Sequence, residues 1–441
     1  MSIQSKIKSL TERIPPSAGV YLNHLPFNLR LGSDYSKFSQ LIDHLVKADM
    51  ETKNSYAIEN FNNIFIHFNR HGNFYNNLLV QNGCDLKKVR SLEEIATVPL
   101  LTKAILREVP VSDRTNQEHA LKQFNTGGTS GFPLTFFAEK KFYPREWAHM
   151  HYMWKKIGYK PSRTKITIRG KNMNRIYQYN FNQNEFLINS YHPFNKNDYL
   201  TLFKVFKKYN TEFLHGYPSS IFNFIKEISV NAPFLLDFLK LNIKGIMFAS
   251  EYPSPRFRDY IEEMLTTNTI SWYGHTEGVV LAGELLNKFE YIPFLSYGYA
   301  EAVKIGDHYH LAGTSFFNLA APFIRYDTED LIKPVFRDNG MLDSFEITEG
   351  RLGEFVIDKN GRNISLTALI FGRHHKIFDL VNFIQVKQTS PGKITVYYSN
   401  SSAIEEPAKL FDSGNLDIDL QFQQINEPLK TSLGKIPLLI K

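Results

Sequence analysis

Thr126-Gly127-Gly128-Thr129-Ser130-Gly131-Phe132-Pro133 sets three glycines and three hydroxyl side chains within its first six residues. Glycine lacks the Cβ that holds backbone away from a bulky anion. It also permits the φ > 0 turns that aim successive N–H groups into one concavity. The threonine and serine hydroxyls add rotating donors to the same space, and Pro133 stiffens the exit. Such a loop suits a polyphosphate. It is not a Walker A loop, because no Lys-Ser or Lys-Thr follows the last glycine.

Outward from this loop, the composition is that of a globular enzyme. The chain has 441 residues, 43% of them hydrophobic and 22% charged, enough for a large core and two or three domains. No apolar run approaches the roughly 18–20 residues that span a bilayer. Residues 1–10 lack a signal-peptide core, so a cytoplasmic protein is expected. The lone Cys84 excludes an intramolecular disulfide and a cysteine-built zinc site. A net charge of +7, from 51 Lys+Arg against 44 Asp+Glu, favours small anionic substrates such as ATP or CoA. It forms no long basic run or aromatic–basic motif of the kind that binds nucleic acid.

Hydrophobic spacing organises the rest. Phe38, Leu41, Ile42 and Leu45, then Phe61, Ile64, Phe65 and Phe68, recur at helical intervals and predict helices through residues 36–80. Thr102 stands where it would cap a helix opening at Lys103. Lys165-Ile-Thr-Ile-Arg, Glu212-Phe-Leu-His-Gly and Gly245-Ile-Met-Phe-Ala read as strands. Residues 200–208, 219–230 and 255–265 read as the helices between them. That alternation predicts an α/β fold with doubly wound, mostly parallel sheets, whose ligands gather beyond the carboxyl ends of the strands. From about 285 to 350 short strands with Gly and Asp turns predict a small barrel-like or antiparallel subdomain. Beyond 355 the strand texture returns, with turns such as Ser390-Pro-Gly-Lys, and predicts a small α+β lid.

Four more stretches follow the glycine loop in order. They are Tyr273-Gly-His-Thr-Glu277, Arg325-Tyr-Asp-Thr-Glu-Asp330, Gly350-Arg-Leu-Gly-Glu354 and Lys430-Thr-Ser-Leu-Gly-Lys435. Together with the loop and the phrase Pro99-Leu-Leu-Thr-Lys103, they resemble the adenylate-forming superfamily, in its phenylacetate–CoA ligase-like branch, from about residue 75 to the C-terminus. The short N-terminal region and compact lid are most similar to capsule-polysaccharide-associated members.

The resemblance implies a role for each motif. Thr126, Gly127, Gly128, Thr129, Ser130 and Gly131 would cradle the ATP phosphates, joined by Thr276. Tyr273 would stack on the purine or wall the acyl pocket, with Gly274, Ser250 and Glu251 beside the adenine. Glu277 would offer a hard oxygen to Mg²⁺, and Asp330 would accept both ribose hydroxyls. Arg325 would hold its loop rather than touch ATP. Glu329 stands where glycine is usual, which puts the local turn in question and adds a second acid near the ribose. His215, Gly216 and Tyr217 would line the acyl pocket. Arg351 would reach the nucleotide, the hinge would turn about Glu354, and Lys435 would neutralise charge at the reacting centre.

The implied organisation is a large domain over residues 1–350, a hinge at 351–354 and a lid over 355–441. The implied activity is adenylation of a small carboxylic acid with MgATP, then acyl transfer to CoA or to an amine acceptor such as a nucleotide-linked sugar, by a monomer or homodimer. Two other readings fit the same motifs. One is adenylylation of a hydroxyl, as in coenzyme F-type synthetases; the other is a non-catalytic nucleotide-binding scaffold.

Overall fold

The structure is a computed structural model that describes residues 14–22, 25–71, 73–119, 122–125, 134–139, 142–169, 173–190, 192–349, 355–366, 369–370, 373, 375–381, 383–400, 403–414, 416–429 and 438–440. The glycine loop at 126–133, the hinge segment 350–354 and the Lys435 segment lie outside the described residues.

The N-terminal third is helical. Helices α1 (Ser33–Lys47), α2 (Met50–His71) and α3 (Asn73–Gln81) carry the apolar stripes inward, with Ile42, Phe61, Phe65 and Leu79 buried. Thr102 caps α4 (Lys103–Glu108), its Oγ1 accepting from the Ile105 N–H at 3.3 Å.

The central layer is a six-stranded sheet. Its strands are β3 (Lys165–Ile168), β4 (Tyr177–Asn180), β5 (Glu185–Ile188), β6 (Phe213–Gly216), β7 (Gly245–Phe248) and β8 (Thr269–Ile270), in the order β4-β5-β3-β6-β7-β8. All neighbours are parallel except the edge pair β4–β5. Period-two alternation divides the side chains between two cores. Ile166, Ile168, Leu214 and Ile246 pack under α6 (Lys196–Lys208), α7 (Pro218–Asn231), α8 (Pro233–Asn242) and α9 (Pro255–Leu265). Phe213, Met247 and Ile270 face α1 and α5 (Phe142–Trp154) on the other side. The sheet is therefore doubly wound, as the strand–helix alternation predicts.

The second face also buries an ion pair. Lys165 and Glu185, neighbours across β3 and β5, approach to 3.9 Å, and Thr167 and Asn180 donate to the same carboxylate at 2.6 and 3.0 Å. Burial alone pushes the Glu185 carboxyl up, but Lys165, Arg169 and the Thr167 hydroxyl outweigh it and hold it at about 2. Burial pushes Lys165 down to about 8. The folded protein thus binds fewer protons at Glu185 than the unfolded chain between its ordinary 4.5 and about 2. Stability contributed by this carboxylate is complete above that window and is lost as pH falls through it. Glu185→Gln should flatten the fall in thermal midpoint between pH 4.5 and 2.5. A midpoint curve parallel to that of the wild type would contradict the assignment.

Two further sheets follow. A three-stranded one joins β9 (Trp272–Gly274), β10 (Leu281–Gly283) and β11 (Ile292–Pro293). An antiparallel meander runs β12 (Gly298–Ile305), β13 (His308–Ser315), β14 (Tyr326–Phe336) and β15 (Leu342–Glu349). The expected small β subdomain is this open meander; no pairing closes it into a barrel among the described residues.

Residues 355–440 build a separate hydrophobic cluster around β16 (Phe355–Ile357), β17 (Asn363–Ser365), β18 (Phe383–Ser390), β19 (Lys393–Ser399), β20 (Asp419–Gln424) and β21 (Leu439–Ile440). Among the described residues there, the regular elements are these strands and short helical turns. The β16–β17 hairpin meets α7, where Asn223 and Asn363 exchange two side-chain-to-backbone hydrogen bonds and Arg362 lies 3.6 Å from Glu227.

Candidate nucleotide and acyl site

Two segments far apart in sequence are laced together by reciprocal bonds. The Tyr273 hydroxyl donates to Asp330 at 2.6 Å, and the Tyr326 hydroxyl donates to Glu277 at 2.9 Å. Each segment thus supplies one tyrosine and, four residues later, one carboxylate. All four side chains are at most 6% exposed, so these charge-assisted bonds are shielded from water and fix both acids in place. Burial and the Glu277 charge push the Tyr326 phenol far above its usual range, so it remains a donor. His275 also meets Glu277, its Nδ1 3.1 Å from the second carboxylate oxygen. Thr276 is half-buried between them.

The turn at Glu329 is built as a glycine would build it. Glu329 adopts φ +65°, and its N–H donates to Asp327 at 2.8 Å. Its carboxylate lies 3.7 Å from the buried Lys103 ammonium at the start of α4. One turn further along α4, Arg107 feels Glu329, Tyr326 and Glu277 as its electrostatic neighbours. Two cations from the Thr102-Lys103 phrase therefore face the two laced segments. The sequence singles out Lys103 only as part of a resemblance and gives no sign of Arg107.

Arg325 serves the backbone. Its guanidinium bonds Glu301 at 3.0 and 3.2 Å and the carbonyls of Ala96 and Val98, while its own carbonyl accepts from Leu101. It joins the segment before α4 to β14, consistent with a structural rather than an ATP-binding role.

Tyr273 and Gly274 share one cleft with Ser250, Glu251, Tyr252 and Trp272. Ser250 takes φ +64° at the turn after β7. Glu251 accepts from the Ser219 N–H at 3.2 Å and hydroxyl at 3.1 Å, so it braces the first turn of α7. A Cβ on Gly274 would lie 2.5 Å from the Trp272 ring and 3.0 Å from Leu281, so here a neighbouring ring, rather than a turn, requires glycine.

The carboxyl ends of β3, β6 and β7 converge next to this cleft, with the Tyr217 N–H donating to the Ile168 carbonyl and the Ala249 N–H to that of Gly216. His215 lies on the α5 side of β6, its ring 5.0 Å from that of Trp154. Burial and Lys165 hold it down to about 3, so it is neutral. Burial raises the Tyr217 phenol despite Arg169. The three predicted acyl-pocket residues are thus brought together at the strand ends.

The stem of the glycine loop is described although the loop is not. β1 (Lys122–Asn125) and β2 (Thr135–Ala138) pair antiparallel. Phe136 meets Phe323 at 5.0 Å, three residues from Tyr326, and Phe124 meets Phe142 of α5 at 5.4 Å. This stem springs from beside the laced acids. Among the described residues no group of three or more His, Cys, Asp or Glu side chains could hold a metal. Glu277 still fits a Mg²⁺ site of the kind completed by substrate phosphates, which needs only one or two carboxylates.

Against solved structures, the chain aligns with a 2-hydroxyisobutyryl-CoA ligase in complex with 2-HIB-AMP and CoA. The TM-score is 0.54 at 16% identity, over 89% of this chain and 90% of that one. The same ligase in its postadenylation state gives 0.50 at 15% identity, over 87% and 88%. This is the fold of the adenylate-forming ligases. Among curated proteins, CapK of Staphylococcus aureus is 23% identical, and the match covers 65% of this chain and 65% of CapK. No family model matches the chain. Within this fold, the hydrogen bonds of Tyr273 and Tyr326 hold Asp330 and Glu277, and no helix among the described residues is long and apolar enough to cross a membrane.

The Tyr273–Asp330 bond is directly testable. Tyr273→Phe removes the hydroxyl while keeping the buried ring, at a stability cost of about 1 kcal/mol. The KM for ATP should rise several-fold with kcat little changed, because Asp330 loses the bond that orients it. An unchanged KM for ATP would contradict that role.

Proposed function

We propose that the protein activates a carboxylic acid with MgATP, releasing pyrophosphate, and then transfers the acyl group to CoA or to an amine such as a nucleotide-linked amino sugar. The reciprocal tyrosine–carboxylate lacing carries this reading. It holds Glu277 and Asp330 together beside the cleft lined by Tyr273 and Gly274, next to the carboxyl ends of parallel strands, where such folds bind ligands.

In the first half-reaction a carboxylate oxygen of the substrate attacks the α-phosphorus, and the bond to the β-phosphate oxygen breaks. Asp330 orients the ribose and Tyr273 flanks the base, while Lys103 and Arg107 add positive charge near the phosphates. Glu277 would hold Mg²⁺, which supplies charge neutralisation on the leaving pyrophosphate. Thr126 to Gly131 and Thr276 offer hydroxyl and N–H donors to the phosphates. His215, Gly216 and Tyr217 line the acid's pocket. In the second half-reaction a thiol or amine attacks the acyl carbonyl, loses its proton, and AMP leaves.

In this reading residues 355–441 act as a lid turning at 351–354 about Glu354. Arg351 approaches the nucleotide, and Lys435 stabilises the charge developing between carboxylate and α-phosphate. Lys435→Ala should lower adenylate formation about a hundredfold or more while leaving ATP affinity within a few-fold of wild type. Full activity in that variant would remove Lys435 from the site.

The likeness to CapK supports a role in surface polysaccharide biosynthesis. Hydroxylamine trapping tests the whole assignment. Incubation with ATP, Mg²⁺ and a panel of carboxylic acids should yield an acyl hydroxamate from at least one acid. AMP release should then accelerate with CoA or an amino sugar. ATP consumption that yields only an adenylylated alcohol would replace this reading with hydroxyl adenylylation.

A further inference from the structure

Beside β11 the fold holds a second cavity of about 240 Å³, against about 30 Å³ for the nucleotide cleft. Tyr291 lines the cleft, and the next two residues, Ile292 and Pro293, line the cavity. β15 is shared in the same way, with Ile347 at the cleft and Leu342 at the cavity. The two spaces therefore adjoin the same strands without sharing a lining residue.

Much of the cavity wall is buried and apolar. Leu45 of α1, Phe294, Tyr299, Ala300 and Leu342 are each less than 9% exposed. Val46 and Leu286 also line it yet are 46% and 77% exposed, which puts apolar side chains at its opening. Protein interiors keep few voids larger than a water molecule. A lone exposed leucine needs no explanation, but an apolar cavity that opens through exposed apolar side chains has the form of a ligand site.

Its charges have one sign. Lys53, Lys156 and Arg337 line it, and no aspartate or glutamate does. Arg337 is paired outside the lining with Asp343 at 2.6 Å. Lys53 and Lys156 make no ion pair among the described residues. Burial and the neighbouring Arg337 push the Lys53 ammonium down, with Asp343 and Asp49 opposing.

We propose that this cavity binds a single-chain amphiphile with a phosphate head, its hydrocarbon tail among Leu45, Phe294, Tyr299 and Leu342 and its head between Lys53 and Lys156. Two unpaired ammonium groups match a dianionic phosphate monoester better than a monoanionic carboxylate. The apolar walls match a hydrocarbon chain rather than a sugar, since only Ser296 and the tyrosine hydroxyls of Tyr152 and Tyr299 offer neutral polar side-chain groups there. The site is independent of the proposed adenylation chemistry, because none of its residues belongs to the nucleotide or acyl set.

Calorimetric titration of the full chain with dodecyl phosphate, held below its micelle concentration, tests the proposal. Dodecanoate and dodecyltrimethylammonium serve as parallel probes. One-site saturable binding of dodecyl phosphate is expected, weakened at least tenfold in the Lys53→Gln/Lys156→Gln double variant. ATP binding by that variant should equal wild type. The proposal is overturned by absence of saturable binding, by equal binding of the cationic probe, or by an unchanged Kd in the double variant. Tighter binding of dodecanoate than of dodecyl phosphate overturns the phosphate head.

Discussion

Glu277→Gln is expected to lower the rate of adenylate formation by about 10²- to 10³-fold while the protein still folds and binds nucleotide. The substitution keeps the side chain's size and leaves a carbonyl oxygen to accept from Tyr326. It deletes the negative charge that would hold Mg²⁺ against the phosphates. Tyr326→Phe makes the complementary change, removing the hydroxyl that donates at 2.9 Å and leaving the carboxylate charged. That variant should lose only a few-fold in rate. A steep loss in Tyr326→Phe with near-normal activity in Glu277→Gln would show that the hydrogen bond matters and the charge does not, contradicting a metal-binding role. Raising Mg²⁺ should partly restore Glu277→Gln, a readout that a purely structural defect would not give.

Gly216→Ala should be the most damaging change to the fold. Gly216 ends β6 at φ +150°, a conformation that L side chains rarely adopt, and a Cβ there would lie 1.8 Å from the Ile168 carbonyl oxygen of β3. The obstacle is backbone in a neighbouring central strand, and the same oxygen accepts from the Tyr217 N–H at 3.0 Å. Neither strand can shift without breaking the ladder at the acyl pocket. Backbone strain and overpacking together should cost about 3–5 kcal/mol, enough to leave much of the chain insoluble. Gly340→Ala is the control. Its φ of +79° is equally unsuited to a side chain, but nothing lies within 4 Å of a Cβ there, so a loss of only about 1 kcal/mol is expected. Equal thermal midpoints for the two variants would contradict the close approach of β3 and β6.

Particular elements show what the sequence discloses and where it stops. The strands at 165, 213 and 245 and the helix at 255–265 stand where apolar spacing predicts them, because each presents a clean period to a well-defined core. Helix α6 begins at Lys196 rather than at residue 200, since Asn195 and Asp198 form a capping box that extends it one turn beyond its apolar stripe. Helix α5 escapes periodicity altogether. Arg145, His149 and His151 are buried alongside Ala148, Met150 and Trp154, so it has no polar face to mark a 3.6-residue repeat.

The site was legible as motifs but not as bonds. Tyr273 and Glu277 are recognisable within one phrase, and Tyr326 and Asp330 within another. Their cross-pairing joins positions about fifty residues apart, and only the packing of β9 near β14 creates it. The shared four-residue spacing of tyrosine and acid was the available clue. Glu329 likewise reads as a departure that unsettles its turn, yet the structure accommodates it at positive φ with Lys103 as its partner. No local pattern could supply that partner, which lies more than two hundred residues earlier.

In the proposed reaction the laced acids Glu277 and Asp330 serve carboxylate activation by ATP. Isotopic ATP–pyrophosphate exchange by the wild-type chain tests it most directly, across a panel of carboxylic acids and without any acyl acceptor. Exchange that depends on at least one acid, and that falls at least a hundredfold in Glu277→Gln, is the predicted result. ATP binding without acid-dependent exchange for any member of the panel would contradict it.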